Sequence, residues 1–330
     1  MFIDKELVNK LHKGDTRELI KKIPDKTVDL IITSPAYFQQ RTYQDSPLEM
    51  GREASLKEYL DELLVVFDEC VRITKDTGSI VFNLGDKYID ESLLLVPYRF
   101  AIAASERDVN LINNTTWIKS NPTPRQYKRR MVQATEPFFH FTRKNCKNYK
   151  YYYDRLLMKK EKKAKPDSKI GQGYYKLIND SAMTSEQKKL AGVELGRAIQ
   201  KVKNGEIDSI RMKITGIHAP AFGGQAGGRS TQMKQKGYTI IEVPGDGLVK
   251  DWFQCPVESL KNVGHLAIYP QSIVERFIVL TTDENDLIFD PFMGSGTTAC
   301  AAKVLNRHYL GFELFSDYIE IATGRIAKAL

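Results

Sequence analysis

The sequence predicts an α/β protein, an open and largely parallel sheet with helices on both faces, interrupted by an inserted region of different character. Three observations predict it. A short apolar run, Leu287 to Phe289, ends in Asp290-Pro291 and is followed by a turn holding Gly294 and Gly296, then Thr297 and Thr298 at helix-starting positions. A second run, Thr27 to Thr33, is rich in β-branched residues and stops at Ser34-Pro35-Ala36-Tyr37. Stretches with helical spacing lie between such runs, and strands alternating with helices are the pattern of crossover-connected parallel sheets. Sheets of this kind bind ligands outside the carboxyl ends of their strands, so both run-ending turns are candidate sites.

In chain order, the opening reads as a short strand or turn around Gly14-Asp15, then a helix ending near Pro24. Thr27 to Thr33 is a buried strand, and the Pro35 that follows ends its ladder. Gln39 to Ala54 has no clear period and reads as a loop over the site. Leu56 to Thr74 is an amphipathic helix, because Leu56, Tyr59, Leu60, Leu63, Leu64, Phe67, Cys70 and Val71 keep helical spacing. Gly78 to Asn83 reads as a strand, Leu93 to Ser105 as a helix, and Leu111 to Lys119 and Phe138 to Thr142 as strands. From about Asp154 to Val249 lysines cluster and apolar periodicity weakens, with Phe222 to Arg229 a flexible loop by composition. The α/β pattern resumes at Asp251-Trp252, with a helix over Ser272 to Thr282, the glycine-turn unit, a strand ending at Glu313, and a last helix over Ser316 to Lys328. The expected division is therefore 1–154, an inserted 155–250, and 251–330.

Composition narrows the function classes. The chain has 330 residues, 42% of them hydrophobic and 27% charged, and no apolar run of membrane-spanning length. Its start lacks the apolar core of a signal peptide, which predicts a cytoplasmic protein. Four scattered cysteines (Cys70, Cys146, Cys255, Cys300) form no CxxC pair, and the five histidines show no metal spacing, so no metal is expected. Net charge is +8, yet Lys119 to Lys169 alone holds 16 Lys/Arg against 4 Asp/Glu. A basic block inside an otherwise mildly acidic body points to a polyanion, nucleic acid first. A merely solvated charged surface is the other reading.

The glycine turn carries the clearest chemistry. Glycines there let the backbone pass close to a ligand, and the following helix start offers free N–H groups. Glu313 lies 19 positions beyond Gly294, the spacing at which a carboxylate accepts the two hydroxyls of a ribose. No Lys follows Gly296, so the turn is not a phosphate loop of the Walker type.

With both turns in view, the chain resembles the bacterial DNA amino-methyltransferases of the β class. Their cofactor motif DPFxGSGTT is matched from Asp290 to Thr298, and their catalytic motif [DNS]-P-P-[YFW] reads Ser34-Pro35-Ala36-Tyr37, with Ala36 where a second Pro is usual. The order, catalytic motif first and cofactor motif last, is that of the class. The resemblance covers roughly 11–155 and 250–328 and leaves the middle as a target-recognition region. It implies a Rossmann-like class I methyltransferase sheet and S-adenosyl-L-methionine as cofactor, held by Asp15 at the adenine amino group, by Asp290, Pro291, Phe292, Gly294, Ser295, Gly296 and Thr297, and by Glu313 at the ribose. It implies double-stranded DNA as substrate, with a cognate restriction endonuclease and a second copy of the chain (a homodimer) as candidate partners that the sequence does not decide.

An exocyclic amino group is a poor nucleophile, because its lone pair is delocalised into the ring. The base must leave the duplex to be reached. Tyr37 is expected to stack on the flipped ring, while the Ser34 hydroxyl and Pro35 carbonyl accept its amino protons. Within the class, Ser at the first motif position leans toward cytosine N4, and Asp or Asn toward adenine N6. Carbon-5 methylation would need a nucleophilic Pro-Cys pair, and the chain has only Cys255-Pro256. Trp252 is expected to be a core anchor. Tyr149 and Tyr151 to Tyr153 either flank DNA or form a strand's packing face.

Overall fold

The computed structural model describes residues 6–41, 44, 46–122, 128–156, 169–219, 228–245, 249–258 and 269–329. The chain divides into two compact units, Met1–Leu156 with Val249–Leu330, and Leu157–Leu248. The first contains strands β1 (Lys10–Lys13), β2 (Val28–Thr33), β3 (Thr74–Asn83), the short pair β4 (Tyr88–Ile89) and β5 (Ser92–Leu93), β6 (Val109–Lys119) and β7 (Thr135–Arg143). Its helices up to that point are α1 (Thr16–Leu19), α2 (Leu56–Ile73) and α3 (Val96–Ser105). The second unit holds α4 (Gln172–Asp180), α5 (Ser185–Lys203), β8 (Ser209–Ile214), α6 (Arg229–Lys236) and β9 (Tyr238–Val243). The first unit resumes with β10 (Trp252–Cys255), α7 (Gln271–Thr281), β11 (Leu287–Asp290), α8 (Thr297–Val304), β12 (His308–Glu313) and α9 (Ser316–Lys328).

Eight strands form one sheet in the order β1-β12-β11-β2-β3-β7-β6-β10. The run from β1 to β3 is parallel, β7 is antiparallel to both neighbours, and β10 is parallel to β6. Each central strand is buried on both faces, which is why it reads as a continuous apolar run. Successive residues divide between the faces. Ile31, Ile80, Phe82, Phe141 and Phe289 pack with Tyr59, Leu63, Phe67 and Cys70 of α2 and Phe100 of α3. Leu30, Ile32, Val81, Phe138 and Ile288 pack on the other side, with Ile273, Val274, Phe277 and Ile278 of α7 and Ala301 and Ala302 of α8. The start of α2 is fixed by a capping box: Ser55 Oγ accepts from Glu58 N–H, and the Glu58 carboxylate accepts from Ser55 N–H, both at 3.2 Å.

Several sequence expectations need correction. Helix α3 begins at Val96 rather than Leu93, because Leu95 takes a left-handed backbone (φ 57°) and Ser92–Leu93 pair with Tyr88–Ile89. Trp252 is 38% exposed on the edge strand β10, with the Lys250 ammonium over its ring, so it is no core anchor; Trp117 takes that part. For Tyr151 and Tyr152, left between DNA and a strand's packing face, the contacts are those of packing within the fold. Tyr151 stacks on His140 and bonds Asn113, while Tyr152 bonds Asp283 near the opposite, amino-terminal ends of the strands. In the second unit, α5 buries Ala191, Leu195, Ala198 and Val202 against β8 and β9, with Ile178, Met212 and Tyr238 beside them. Small residues and flanking lysines dilute that apolar stripe in the sequence. Phe222 to Gly227, the lysines from 159 to 165, and His265 to Ile268 lie outside the described residues. Among the described residues no helix is long and apolar enough to cross a membrane.

Candidate active site

Strand β11 feeds α8 and then β12 on one side, whereas β2 feeds α2 and then β3 on the other. The adjacent pair β11 and β2 is therefore the point where the winding direction changes, and a crevice opens there outside the strand ends. Both motifs leave from this pair. Thr33 Oγ1, the last residue of β2, donates to Asp290 Oδ1, the last residue of β11, at 2.6 Å. The crevice is a cavity of about 680 Å3, and its walls include Asp15, Ser34 to Tyr37, Pro291 to Ser295, Thr297 and Glu313.

The glycine turn is tied together by two buried carboxylates. Asp290 is 1% exposed and accepts from Thr33 Oγ1, Thr298 Oγ1 (2.6 Å) and Phe292 N–H (3.0 Å). Burial pushes its carboxyl above the ordinary range, and those donors oppose the rise. Asp290 and Gly296 belong to the motif but are not among the residues lining the cavity. Asp290 braces the turn from behind. Gly296 takes a left-handed conformation (φ 85°) as the N-cap of α8, and a Cβ there would stand 2.8 Å from Ala322 Cβ of α9. Glu313 does face the cavity. One of its oxygens accepts from Gly294 N–H and the other from Phe315 N–H, both at 2.9 Å. Burial raises its carboxyl too, against the backbone N–H donors of Phe315, Gly294 and Leu314.

Asp15 lines the same cavity as the N-cap of α1. Its carboxylate is gripped by the Arg17 guanidinium, which also reaches Glu62 at 2.8 Å. Partial burial pushes the Asp15 carboxyl up, but the Arg17 hydrogen bonds outweigh it and leave the group below the usual range.

On the β2 side, the Ser34-to-Tyr37 turn is held without the second proline. Tyr59 OH of α2 donates to the Ala36 carbonyl at 2.9 Å. The Tyr37 ring lies against Gly85, where an added Cβ would stand 2.3 Å from Cε2. Its hydroxyl is within 2.8 Å of Asn83 Oδ1 and 3.0 Å of Glu136 Oε2, and Ser34 Oγ lies 3.1 Å from it. Asn83 Nδ2 donates to the Pro137 carbonyl at 3.0 Å, which turns its oxygen toward both hydroxyls. Lys119 pairs with the other oxygen of Glu136 and lies over the Trp117 ring.

Sequence reasoning missed Asn83 and Gly85 as parts of the site. Asn83 and Gly85 had a legible signal, since they end a buried strand as Ser34 does. Lys119 and Glu136 fall in segments, Trp117-Ile118-Lys119 and Glu136 to Phe139, that resemble the class's target-base pocket segment and the stretch after it; that the two meet shows only where β6 and β7 pair, with Trp117 opposite Glu136. Tyr269, which lines the cavity and whose hydroxyl is 2.6 Å from Thr298 Oγ1, falls in a segment, His265 to Pro270, that resembles the class's cofactor-side motif before the glycine turn.

Comparison with known proteins decides the family. The DNA methylase family profile matches residues 28–324. The chain belongs to the N6/N4 DNA methylase family. This DNA methylase is 24% identical over 320 residues to the Type II methyltransferase M.BglII of Bacillus subtilis, across 96% of its own chain and 69% of that protein. It is 23% identical to the Type II methyltransferase M.Cfr9I of Citrobacter freundii, across 96% of its chain and 87% of the relative. Its fold is that of PvuII DNA methyltransferase, described as cytosine-N4-specific, at a TM-score of 0.59 and 16% identity over 96% of this chain and 85% of the other. A DNA modification methylase of Thermus thermophilus, described as putative and solved in complex with S-adenosyl-L-methionine, matches at a TM-score of 0.55 and 18% identity over 97% and 93%.

Proposed function

We propose that this DNA methylase moves a methyl group from S-adenosyl-L-methionine to the N4 amino group of a cytosine flipped out of double-stranded DNA. The observation that carries the reading is the shared cavity: the Ser34 hydroxyl and Tyr37 leave β2 beside the glycine turn and Glu313 of β11 and β12. The donor set fits the cofactor. Each Glu313 oxygen accepts one backbone N–H, which leaves lone pairs for two ribose hydroxyls. Asp15 is the acceptor for the adenine amino group, and Pro291, Phe292, Gly294, Ser295 and Thr297 form the wall between them. When bound, the cofactor supplies an electrophilic methyl group on a sulfonium.

The protein's own residues orient the amine. Ser34 Oγ and the Pro35 carbonyl accept its protons, and Tyr37 stacks on the ring. Placement and electrostatics supply the rate, with no covalent intermediate on the enzyme. A neutral serine at the first motif position favours cytosine N4; adenine N6 is the second reading, since the family profile spans both chemistries. We assign 157–248 as the target-recognition region, with basic residues of the block from Lys119 to Lys169, other than Lys119, Lys150 and Arg155, which are paired within the fold, meeting the phosphate backbone. Relatives named as Type II methyltransferases support a restriction–modification setting with a cognate endonuclease.

Nucleoside mass spectrometry on plasmid DNA from expressing cells tests the reading. N4-methylcytosine is expected. N6-methyladenine would overturn the cytosine assignment, and neither product, with S-adenosyl-L-methionine still bound, would overturn DNA amino-methylation.

A further inference from the structure

Methylating an amine leaves a proton to be removed. The nitrogen lone pair forms the new N–C bond, the C–S bond breaks with its electron pair on sulfur, and one N–H bond must then break. Among the residues around Ser34, one carboxylate lies at the end of a hydroxyl chain. Ser34 Oγ is 3.1 Å from Tyr37 Oη, and Tyr37 Oη is 3.0 Å from Glu136 Oε2. We infer that Glu136 is the terminal proton acceptor of the reaction, reached from the substrate amine through the hydroxyls of Ser34 and Tyr37.

The transfer balances. The amine proton passes to Ser34 Oγ, the Ser34 proton to Tyr37 Oη, and the Tyr37 proton to Glu136 Oε2. One N–H bond is lost, one carboxyl O–H bond is gained, and both hydroxyls return to their starting form. Asn83 Oδ1 lies near the same two hydroxyls, at 3.2 Å from Ser34 and 2.8 Å from Tyr37. It is a neutral acceptor, whereas a charged carboxylate makes the stronger hydrogen bond, so the Tyr37 hydroxyl points its proton to Glu136. Lys119 occupies the other carboxylate oxygen, which holds Glu136 with Oε2 toward Tyr37. The pair is largely buried, at 18% and 13% side-chain exposure, and both residues line the cavity. The proton thus has a way out to solvent after transfer. Glu136 acts through Tyr37 and does not itself meet the base.

This assignment rests on the amino-methyltransferase reading, and the test separates the two. Single-turnover transfer of labelled methyl from S-adenosyl-L-methionine to plasmid DNA is followed for the wild type, Glu136→Gln, Tyr37→Phe and the double variant. Gln keeps the shape and an oxygen acceptor but cannot take the proton. The expected result is a rate about 100-fold lower in Glu136→Gln at saturating cofactor and DNA, the scale of general-base catalysis. Cofactor affinity, read by calorimetry, should be unchanged. Tyr37→Phe should lose the relay alone, and adding Glu136→Gln to it should slow the enzyme no further, because both act on one chain. A wild-type rate in Glu136→Gln overturns the inference, as does a double variant whose losses multiply. No label entering DNA with wild-type enzyme would overturn the functional reading, and the relay with it.

Discussion

Tyr37 owes its place to a residue that has no side chain. Its ring occupies the space a Cβ at Gly85 would need, at 2.3 Å from Cε2. Gly85→Ala should therefore push the ring off its position and uncouple its hydroxyl from Asn83 and Glu136. Methyl transfer is expected to fall by about 10-fold or more while cofactor affinity holds, since a misplacement of about 1 Å costs that much and more. A normal rate in Gly85→Ala would mean that the ring position is not needed. His140 is a second residue whose surroundings decide its chemistry. It is fully buried between Ser79 and Tyr151, and burial lowers its pKa to about 3. The native imidazole stays neutral, whereas the unfolded chain binds a proton below about 6.5. Stability attributable to His140 is thus full above about pH 6.5 and falls as pH drops toward about 3, by ~1.4 kcal/mol per pH unit. Urea unfolding at successive pH values should show a shallower acid loss in His140→Gln than in the wild type. Equal slopes would exclude the linkage.

At the scale of elements, the turn between β11 and α8 does two jobs with two glycines. Gly294 (φ 53°) presents its N–H to Glu313, and Gly296 (φ 85°) lets α8 pack on α9. A β-branched residue at positive φ is strained, so Gly294→Val should abolish S-adenosyl-L-methionine binding by calorimetry. Gly296→Ala meets both a positive φ and the Ala322 methyl, and should cost about 1–3 kcal/mol in unfolding free energy. Retained binding in Gly294→Val would remove the turn from the cofactor site. The element boundaries were legible wherever periodicity was strong, as in α2, whose apolar spacing and Ser55–Glu58 capping box agree. They were not legible at α3, where a hairpin of two-residue strands consumes residues that look helical.

At the scale of the molecule, the two units differ in how their cores are built. Residues 157–248 enclose Ile178, Leu195, Val202, Met212, Ile214 and Tyr238 in a cluster of their own. A contiguous segment with its own core is expected to fold alone. Expressed separately, it should show helical circular dichroism and a cooperative thermal transition; a featureless melt would show that its core needs the rest of the chain. The larger unit is discontinuous in sequence, and its sheet closes only when β10 to β12 join strands from the first half. That is why its site could be read as two separate turns but not as one cavity.

Local rules suffice for what depends on near neighbours. Apolar runs, a positive-φ turn with glycines, a proline after a strand and a carboxylate 19 residues past Gly294 are all local, and they were enough for the sheet class, the glycine turn and Ser34 to Tyr37. Pairing across long sequence separations obeys no local rule. The Thr33–Asp290 hydrogen bond spans 257 positions, and the Tyr37–Glu136 contact spans 99. Only the tertiary structure could seat β2 beside β11, bring Lys119 and Glu136 to the end of the Tyr37 hydroxyl, and set Gly85 under its ring. Such contacts are chosen by the burial of both sheet faces at once, a property of the assembled layers and not of any one stretch of chain.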